Sequence, residues 1–190
     1  MTRGAVHGPT DYRAGVGIVL ANNQGMVFAG KRRDDREYPW QMPQGGLIPG
    51  EAPGKAALRE VFEELGIQRI TVIDRHPDWL RYDYPGPATS RRAAMFRGQQ
   101  HLWFLARFDG DDNDIRIDTA HAEFRQWQWM EPDRLAALVV PFKRQVYREV
   151  FAFFRPTLQR LEQGLPIVAR AAVDHPWPPH NRTAAPVTLP

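Results

Sequence analysis

Apolar positions along the chain recur at the spacings of short strands and of a few amphipathic helices. Apolar runs bounded by turn residues predict strands at residues 16–20, 26–30, 70–73, 101–108 and 124–130. Apolar residues repeating every three or four positions predict helices at residues 53–65, 131–138 and 142–154. Residues 39–50 and 83–100 are rich in glycine, proline or polar side chains, which predicts irregular loops. The pattern indicates a mixed sheet with a few helices, an α/β or α+β arrangement.

This pattern stops near the end of the chain. Residues 166–190 carry six of the 17 prolines and show no sustained periodicity. A segment of this composition buries too little apolar surface to offset the entropy of ordering. We therefore expect one domain over residues 1–160 and a proline-rich, flexible C-terminal tail over residues 161–190. A proline-rich docking segment at residues 175–179 is the alternative for part of that tail.

Composition narrows the class of protein. The 190 residues are 43% hydrophobic and 25% charged, as in ordinary globular domains. Cysteine is absent, which excludes disulfide scaffolds, thiolate metal sites and cysteine nucleophiles. No apolar run approaches the roughly 18 residues of a membrane helix, and residues 1–10 lack an apolar signal core, so we expect a cytoplasmic protein without a membrane partner. The net charge of +3 permits an anionic partner without requiring one.

The helix predicted over residues 53–65 carries three carboxylates on one edge. At about 100° per residue, Glu60, Glu63 and Glu64 fall within an arc of about 100°. Like charges at this spacing destabilise a helix by about 0.2–0.5 kcal/mol per exposed pair. A divalent cation would reverse that effect, and Mg²⁺ accepts carboxylate oxygens together with water and phosphate. The alternative is a solvated acidic face on which Arg59 pairs with Glu63. The apolar residues form a separate stripe, expected to pack on the sheet, of Leu58, Val61, Phe62 and Leu65.

A glycine-rich loop leads into this helix. Residues 44–51 contain Gly45, Gly46 and Gly50, which let the main chain approach a ligand closely. The residue before the helix is Ala52, a poor N-cap, so the helix start must be held by other contacts. Loop and helix together would place backbone carbonyls and carboxylates around one point. That context favours the metal-binding interpretation over the solvated face.

Gly45, Glu51 and the run REVFEELGI over residues 59–67 together resemble the complete Nudix box. The resemblance implies the Nudix fold, an α/β (α+β) arrangement with a mixed β-sheet sandwiched between helices. It also implies Mg²⁺-dependent cleavage of a nucleoside diphosphate linked to a further group, with two or more Mg²⁺ (or Mn²⁺) ions. By position, Glu51 would brace the loop and Arg59 would orient the neighbouring carboxylates. The implied metal ligands are the carbonyl of Gly45 and the side chains of Glu60, Glu63 and Glu64.

Segments outside the box resemble one group of Nudix enzymes, the bacterial RNA pyrophosphohydrolases, also described as dinucleoside polyphosphate hydrolases. These segments are residues 12–13, 16–19, 40–46, 79–82, 98–100, 103–104, 123–124, 127–129 and 142–147. The likeness spans about residues 11–156. This sequence departs from the pattern in a longer segment at residues 33–39, in Pro39 where a small polar residue is common, and in His101 where Gln is common.

The same resemblance implies further site residues. Glu123 would be a fourth metal-binding carboxylate, with an ordinary surface glutamate as the alternative. A pocket for a base near the RNA 5′ end would be formed by Gln99, Val140, Phe142 and Lys143, with Tyr82 at its flank. Phe142 taken alone is equally well explained by core packing. Arg13 and Arg32 are the candidates for contact with polyphosphate.

The implied reaction is hydrolysis of an RNA 5′-triphosphate to a 5′-monophosphate, a step that initiates 5′-end-dependent mRNA decay. Glu63 or Glu64 would accept the proton of the attacking water. A second interpretation is hydrolysis of diadenosine polyphosphates at the same site. A third is a non-catalytic RNA-binding or interaction module, against which the intact set of mutually repelling carboxylates argues.

Overall fold

The computed structural model describes residues 11–86 and 95–168. Residues 1–10 and the proline-rich stretch at 175–179 therefore lie outside the described residues. Two single-turn 3₁₀ helices occur at Asp112–Asp114 and Pro141–Lys143. The strands and α-helices, in chain order, are β1 Tyr12–Ala21, β2 Val27–Arg32, β3 Trp40–Gln41, β4 Gln44–Gly46, α1 Pro53–Leu65, β5 Ile70–Arg75, β6 Leu80–Asp83, β7 Gly98–Phe108, β8 Phe124–Met130, α2 Pro132–Leu138 and α3 Arg144–Glu162.

The strands form one mixed sheet, which confirms the predicted architecture. Its main path runs β3-β2-β1-β7-β5, while β4 pairs with β1, β6 with β7 and β8 with β2. Strands β1 and β7 are parallel, with Tyr12 opposite Gly98 and Ala21 opposite Arg107, and the other pairs are antiparallel. The sheet thus brings the start of β1, the start of β7 and the loop before α1 to the same end.

Alternation along the strands divides the core into two layers. On one face, Ile18 and Leu20 of β1 pack with Val61 and Leu65 of α1. On the other face, Val19 of β1 packs in the cluster that contains residues of α2 and α3. The sheet is therefore covered by helices on both faces, as the sandwich arrangement requires. No helix in the described ranges is long and apolar enough to cross a membrane.

The predicted loops were wrong in part, because strand residues occupy part of each. Within residues 39–50, β3 pairs with β2, and β4 pairs with β1 through Gly45 opposite Val16. At the two ends of residues 83–100, Asp83, the last residue of β6, pairs with Gly98, the first residue of β7, so the irregular connection is shorter than predicted. Strands of two to four residues leave no measurable periodicity, and their hydrogen bonds go to partners that are distant in the chain.

The last helix is longer than predicted and begins later. Pro141–Lys143 forms a 3₁₀ turn, and α3 then runs through Pro156 to Glu162. The apolar spacing continues past the proline, since Leu158 and Leu161 are buried against the core. Packing of this face outweighs the backbone hydrogen bond that a proline removes. The helix thus extends two residues beyond the expected domain boundary at residue 160.

Helix α1 has the predicted bounds, but its predicted apolar stripe was wrong for two of its four residues. Val61 and Leu65 are fully buried, whereas Leu58 and Phe62 are 46% and 50% exposed. The buried face instead combines apolar residues with two of the carboxylates. Its residues are Pro53, Ala56, Ala57, Glu60, Val61, Glu64 and Leu65. The acidic edge of the helix is therefore turned towards the sheet.

Candidate active site

The start of α1 is held by side chains of the preceding loop. Ala52 makes no side-chain cap, as expected for alanine. Glu51 ties the loop to the helix instead: its Oε2 accepts the backbone N–H of Ile48 at 3.1 Å, and both of its oxygens accept hydrogen bonds from Arg59 at 2.8 Å. The bond to Arg59 is the main reason why the pKa of Glu51 lies below its usual range. Glu51 thus lies where it can brace the loop.

Gly45 permits a close contact between this loop and Glu60. A Cβ atom added at residue 45 would lie 2.0 Å from each carboxylate oxygen of Glu60. Glycine is therefore needed here because of space. The carboxylate of Glu60 consequently lies against the main chain whose carbonyl is the predicted metal ligand.

Arg59 gathers the carboxylates around the loop. Its Nη1 donates to Oε1 of Glu60 at 2.8 Å and to Oε2 of Glu63 at 3.0 Å, and its Nη2 also donates to the carbonyl of Gly46 at 2.9 Å. Hydrogen bonds to Glu51, and then to Glu60, hold the pKa of Arg59 above its usual range. Arg59 therefore does more than pair with Glu63: it fixes one oxygen of each of two candidate ligands.

Glu64 is the carboxylate whose environment most favours a cation. Only 2% of the residue is exposed, and no donor among the described residues meets hydrogen-bond geometry at either oxygen, although the backbone of Gln44 lies close enough to favour the ionised form. Burial, followed by repulsion from Glu123 and Glu60, raises the pKa of Glu64 well above its usual value. A buried charge without a partner is costly. Glu64 therefore holds a proton more readily in the metal-free protein than an exposed glutamate does, and a cation beside it would favour the ionised form.

The candidate ligands influence one another electrostatically without forming a closed cluster. Burial raises the pKa of Glu60 against the opposing effect of Arg59, and Glu63 and Glu123 raise it further. Within residues 11–86 and 95–168, no three acidic or histidine side chains already enclose a point as metal ligands do. The donors are all oxygen atoms, which suits Mg²⁺ or Mn²⁺, and the unpartnered Glu64 oxygens fit a divalent ion beside them. The side chains must therefore converge from their present positions to coordinate it.

A β-bulge positions Glu123. The pairing of β2 with β8 shifts register between Lys31 and Arg32, so that Arg32 lies opposite Phe124. The backbone N–H of Arg33 then donates to the carbonyl of Glu123 at 3.0 Å. Bulges are common next to active sites because they re-aim a side chain. Here the bulge places Glu123 on the wall of the same cavity as Glu60.

That cavity has a volume of about 870 Å³, enough for a nucleotide-sized ligand. Of the predicted site residues, it is lined by Arg13, Arg32, Gly45, Glu60, Tyr82, Gln99, Glu123, Phe142 and Lys143. Arg59, Glu63, Glu64 and Val140 are not among its lining residues. Val140 instead packs against the core cluster, and its carbonyl accepts the backbone N–H of Lys143 at 3.0 Å. The contribution of Val140 to a base pocket stays a prediction.

The aromatic end of the cavity is built by β6, β7 and the turn before α3. Tyr82 donates its hydroxyl hydrogen to Oε1 of Gln99, and the ring of Phe142 lies 5.5 Å from the ring of Tyr82. Lys143 donates from Nζ to Oε1 of Gln41 at 3.0 Å and lies 5.3 Å from the centre of the Tyr82 ring. Burial, with a smaller effect of Arg32, lowers the pKa of Lys143 to about 7. Lys143 therefore changes charge near neutral pH.

His101, a departure from the family pattern, lies on the same wall. It is 2% exposed, and burial lowers its pKa to about 3, so the imidazole is neutral. Its ring meets the rings of Tyr82 and Trp103 edge-on. Gly15 lies beside it, where an added Cβ would come within 2.4 Å of the carbonyl oxygen of Gly45 and 2.8 Å of the imidazole. His101 thus supports the aromatic wall by packing.

The cationic wall contains both predicted polyphosphate contacts. The guanidinium of Arg13 lies against Gly46, where an added Cβ would come within 2.0 Å of Nη2. Arg32 is paired with Asp34. The cavity lining also includes residues that were not predicted from the sequence, among them Asp34, Asp35, Gln41 and Gln44. The charged run at residues 31–37 was visible in the sequence. Because it contains charges of both signs, the sequence did not show which of its side chains are solvated and which line the cavity.

Comparison with known proteins places this chain among Nudix proteins. Residues 11–150 match the NUDIX domain family. A protein of Cereibacter sphaeroides named RNA pyrophosphohydrolase is 48% identical over 154 residues, covering 80% of this chain and 95% of the relative. A protein of Rickettsia africae with the same name is 42% identical over 154 residues, covering 80% of this chain and 96% of the relative.

Solved structures agree on the fold. The dihydroneopterin triphosphate pyrophosphohydrolase of E. coli superposes with a TM-score of 0.57 at 22% identity, covering 76% of this chain and 99% of the other. The binary complex of a C. elegans Ap4A hydrolase gives a TM-score of 0.55 at 21% identity, covering 76% and 98%. With the family match and the relatives above, these likenesses mean that the chain belongs to the Nudix family.

Proposed function

We propose that this protein is an RNA pyrophosphohydrolase, which hydrolyses the 5′-triphosphate end of RNA to a 5′-monophosphate and so initiates 5′-end-dependent mRNA decay. The observation that carries the proposal is the single cavity lined by Glu60 and Glu123, by the cation Arg13, and by the aromatic residues Tyr82 and Phe142. These three kinds of side chain suit the parts of such a ligand: carboxylates for the metal ions, a cation for the triphosphate and aromatic rings for the base. Relatives named RNA pyrophosphohydrolase support this choice of substrate. Because the proposed substrate is RNA, we propose that the protein acts in the cytoplasm.

The metal in this proposal is Mg²⁺, or Mn²⁺, with two or more ions. The residues that would hold it are the carbonyl of Gly45 and the side chains of Glu60, Glu63, Glu64 and Glu123. When bound, such ions neutralise charge on the phosphate oxygens and lower the pKa of an attacking water. Arg59 keeps Glu60 and Glu63 in place through the hydrogen bonds of its Nη1. Glu63 or Glu64 accepts the proton of the water.

The remaining residues bind and orient the RNA end. Arg13 and Arg32 are the cations available to the phosphate chain, and both line the cavity. Phe142 and Tyr82 offer rings for stacking, Gln99 and Lys143 offer hydrogen bonds to a base edge, and Val140 completes the proposed pocket. Stacking combined with edge hydrogen bonds is the usual way of recognising single-stranded RNA.

The experiment that tests this function is phosphate release from RNA with defined 5′ ends, measured with and without Mg²⁺. We expect release from triphosphorylated RNA only when the metal is present. Glu64→Gln should lower turnover by orders of magnitude while the protein stays folded, since glutamine keeps the volume and loses the charge. Near-normal turnover by E64Q, or release without a divalent ion, would contradict the proposal.

A dinucleoside polyphosphate hydrolase is the second candidate, because the same cavity would accept a base and a phosphate chain. Competition between triphosphorylated RNA and diadenosine pentaphosphate separates the two. The RNA should be consumed first if the main proposal holds. RNA binding that needs no Mg²⁺ and leads to no turnover would instead indicate a non-catalytic RNA-binding module.

A further inference from the structure

Arg32 is already paired within the cavity. Its Nε donates to Oδ1 of Asp34 at 2.8 Å and its Nη2 donates to Oδ2 at 2.5 Å. The guanidinium therefore holds a carboxylate with the same two-point geometry that it can offer to a phosphate. Both residues line the cavity together with Glu60 and Glu123. A phosphate that binds Arg32 in this way must first displace Asp34.

The pair is built so that it can open. The side chains of Arg32 and Asp34 are 30% and 69% exposed, and exposed ion pairs exchange at little cost. The backbone on either side is held: Arg125 donates from Nη1 to the carbonyl oxygens of Arg32 and Asp35. Because the main chain is anchored, rotation of the Asp34 side chain is sufficient to release Arg32.

We propose that Asp34 limits the affinity of the cavity for phosphate groups, because its carboxylate competes with the substrate for Arg32. The proposal rests on the proposed function, since it assumes that Arg32 meets a phosphate chain. A phosphate group at neutral pH carries up to two charges and three acceptor oxygens, so it displaces one carboxylate. An RNA end that carries only a 5′-hydroxyl cannot displace it and gains nothing from Arg32. Asp34 therefore lowers the affinity of the cavity for phosphorylated ends, while the affinity for 5′-hydroxyl ends does not depend on it.

The chain offers a matched control in the adjacent residue. Asp35 lines the same cavity and carries the same charge. Its Oδ1, however, accepts the backbone N–H groups of Glu37 and Tyr38 at 3.1 and 2.9 Å. Asp35→Asn removes the charge, keeps an acceptor oxygen for that turn, and leaves the bond between Arg32 and Asp34 untouched.

The experiment measures binding of inorganic tripolyphosphate and of 5′-hydroxyl RNA to the full chain by calorimetry, without added metal. The variants are D34N, D35N, R32A and the double variant with D34N and R32A. We expect D34N to tighten tripolyphosphate binding about two- to fivefold, the range an exposed ion pair supports, and to leave 5′-hydroxyl RNA binding unchanged. D35N should have less effect than D34N, and D34N should have none in the R32A background.

Three results would overturn the proposal. Equal effects of D34N and D35N would mean that only the net charge of the cavity matters. An effect of D34N that persists without Arg32 would place the competition elsewhere. If D34N leaves tripolyphosphate binding unchanged, or if neither the wild type nor D34N binds tripolyphosphate, Asp34 does not compete with phosphate for Arg32. Because these measurements need no turnover, a wild-type protein that fails to hydrolyse RNA would defeat the proposed function and leave the test of Asp34 readable.

Discussion

Substitution of Gly45 by alanine tests whether the contact between the loop and Glu60 is needed for catalysis. The added Cβ would lie 2.0 Å from both carboxylate oxygens of Glu60, and ordinary contact begins at 3.4 Å. The carboxylate must therefore move by about 1.4 Å if the backbone stays in place. A misplacement of about 1 Å at a reacting centre costs roughly 10²-fold in rate. We expect kcat/KM to fall about 10²-fold.

The effect of Gly45→Ala on stability should be small by comparison. The displaced group is the end of a flexible side chain, and the contact that it loses is the 2.8 Å pair with Arg59. Arg59 keeps its bonds to Glu51 and Glu63, so we expect a loss of about 1 kcal/mol, the net value of one intramolecular hydrogen bond, which corresponds to a shift of about 2–4 °C in Tm for a chain of this size. Phosphate release and thermal unfolding, measured on the same preparation, separate the two effects.

Gly54→Ala is the matched control for this prediction. Gly54 lies in the first turn of α1, and an added Cβ there has no atom within 4 Å. Alanine should raise helix stability by up to about 1 kcal/mol and leave turnover unchanged. A folded G45A protein whose turnover is within threefold of the wild type would refute the argument that the position of Glu60 against the loop matters.

Further predictions concern the buried charges and the aromatic wall. Because the folded-state pKa of Glu64 is raised, the metal-free protein should lose stability as pH rises above about 4.5, the unfolded value. E64Q should abolish this loss in denaturant titrations across pH, and an unchanged slope would contradict it. Because the pKa of Lys143 falls from 10.5 to about 7, wild-type stability should increase between those pH values relative to Lys143→Met. If the stability of the wild type and of Lys143→Met changes in parallel with pH, the lowered pKa of Lys143 would be contradicted. Phe142→Ala should weaken binding of triphosphorylated RNA by about 1–3 kcal/mol and that of tripolyphosphate little, as fluorescence titration can measure. Equal losses for both ligands would mean that Phe142 only packs the core.

Much of the site could be predicted because its chemistry is local in the chain. Gly45, Glu51 and residues 59–67 lie within one loop and one helix, so the complete Nudix box can be recognised from residue spacing alone. Pro53 and Gly66 mark the helix ends for local steric reasons, and Gly66 has the positive φ of 67° that favours glycine at a C-cap. The family predicted from these residues is confirmed by the match over residues 11–150. The roles of the individual site residues stay predictions.

The sequence by itself determined the family, the mixed sheet and the bounds of α1, since periodicity, capping residues and motif spacing are properties of neighbouring positions. Only the tertiary structure decided which arc of α1 faces the sheet: Ala57 and Glu64 turn inward and Phe62 outward. It also decided that Asp34 lies on Arg32. A helical projection places residues relative to one another, but the orientation of the whole face depends on packing against strands distant in the chain.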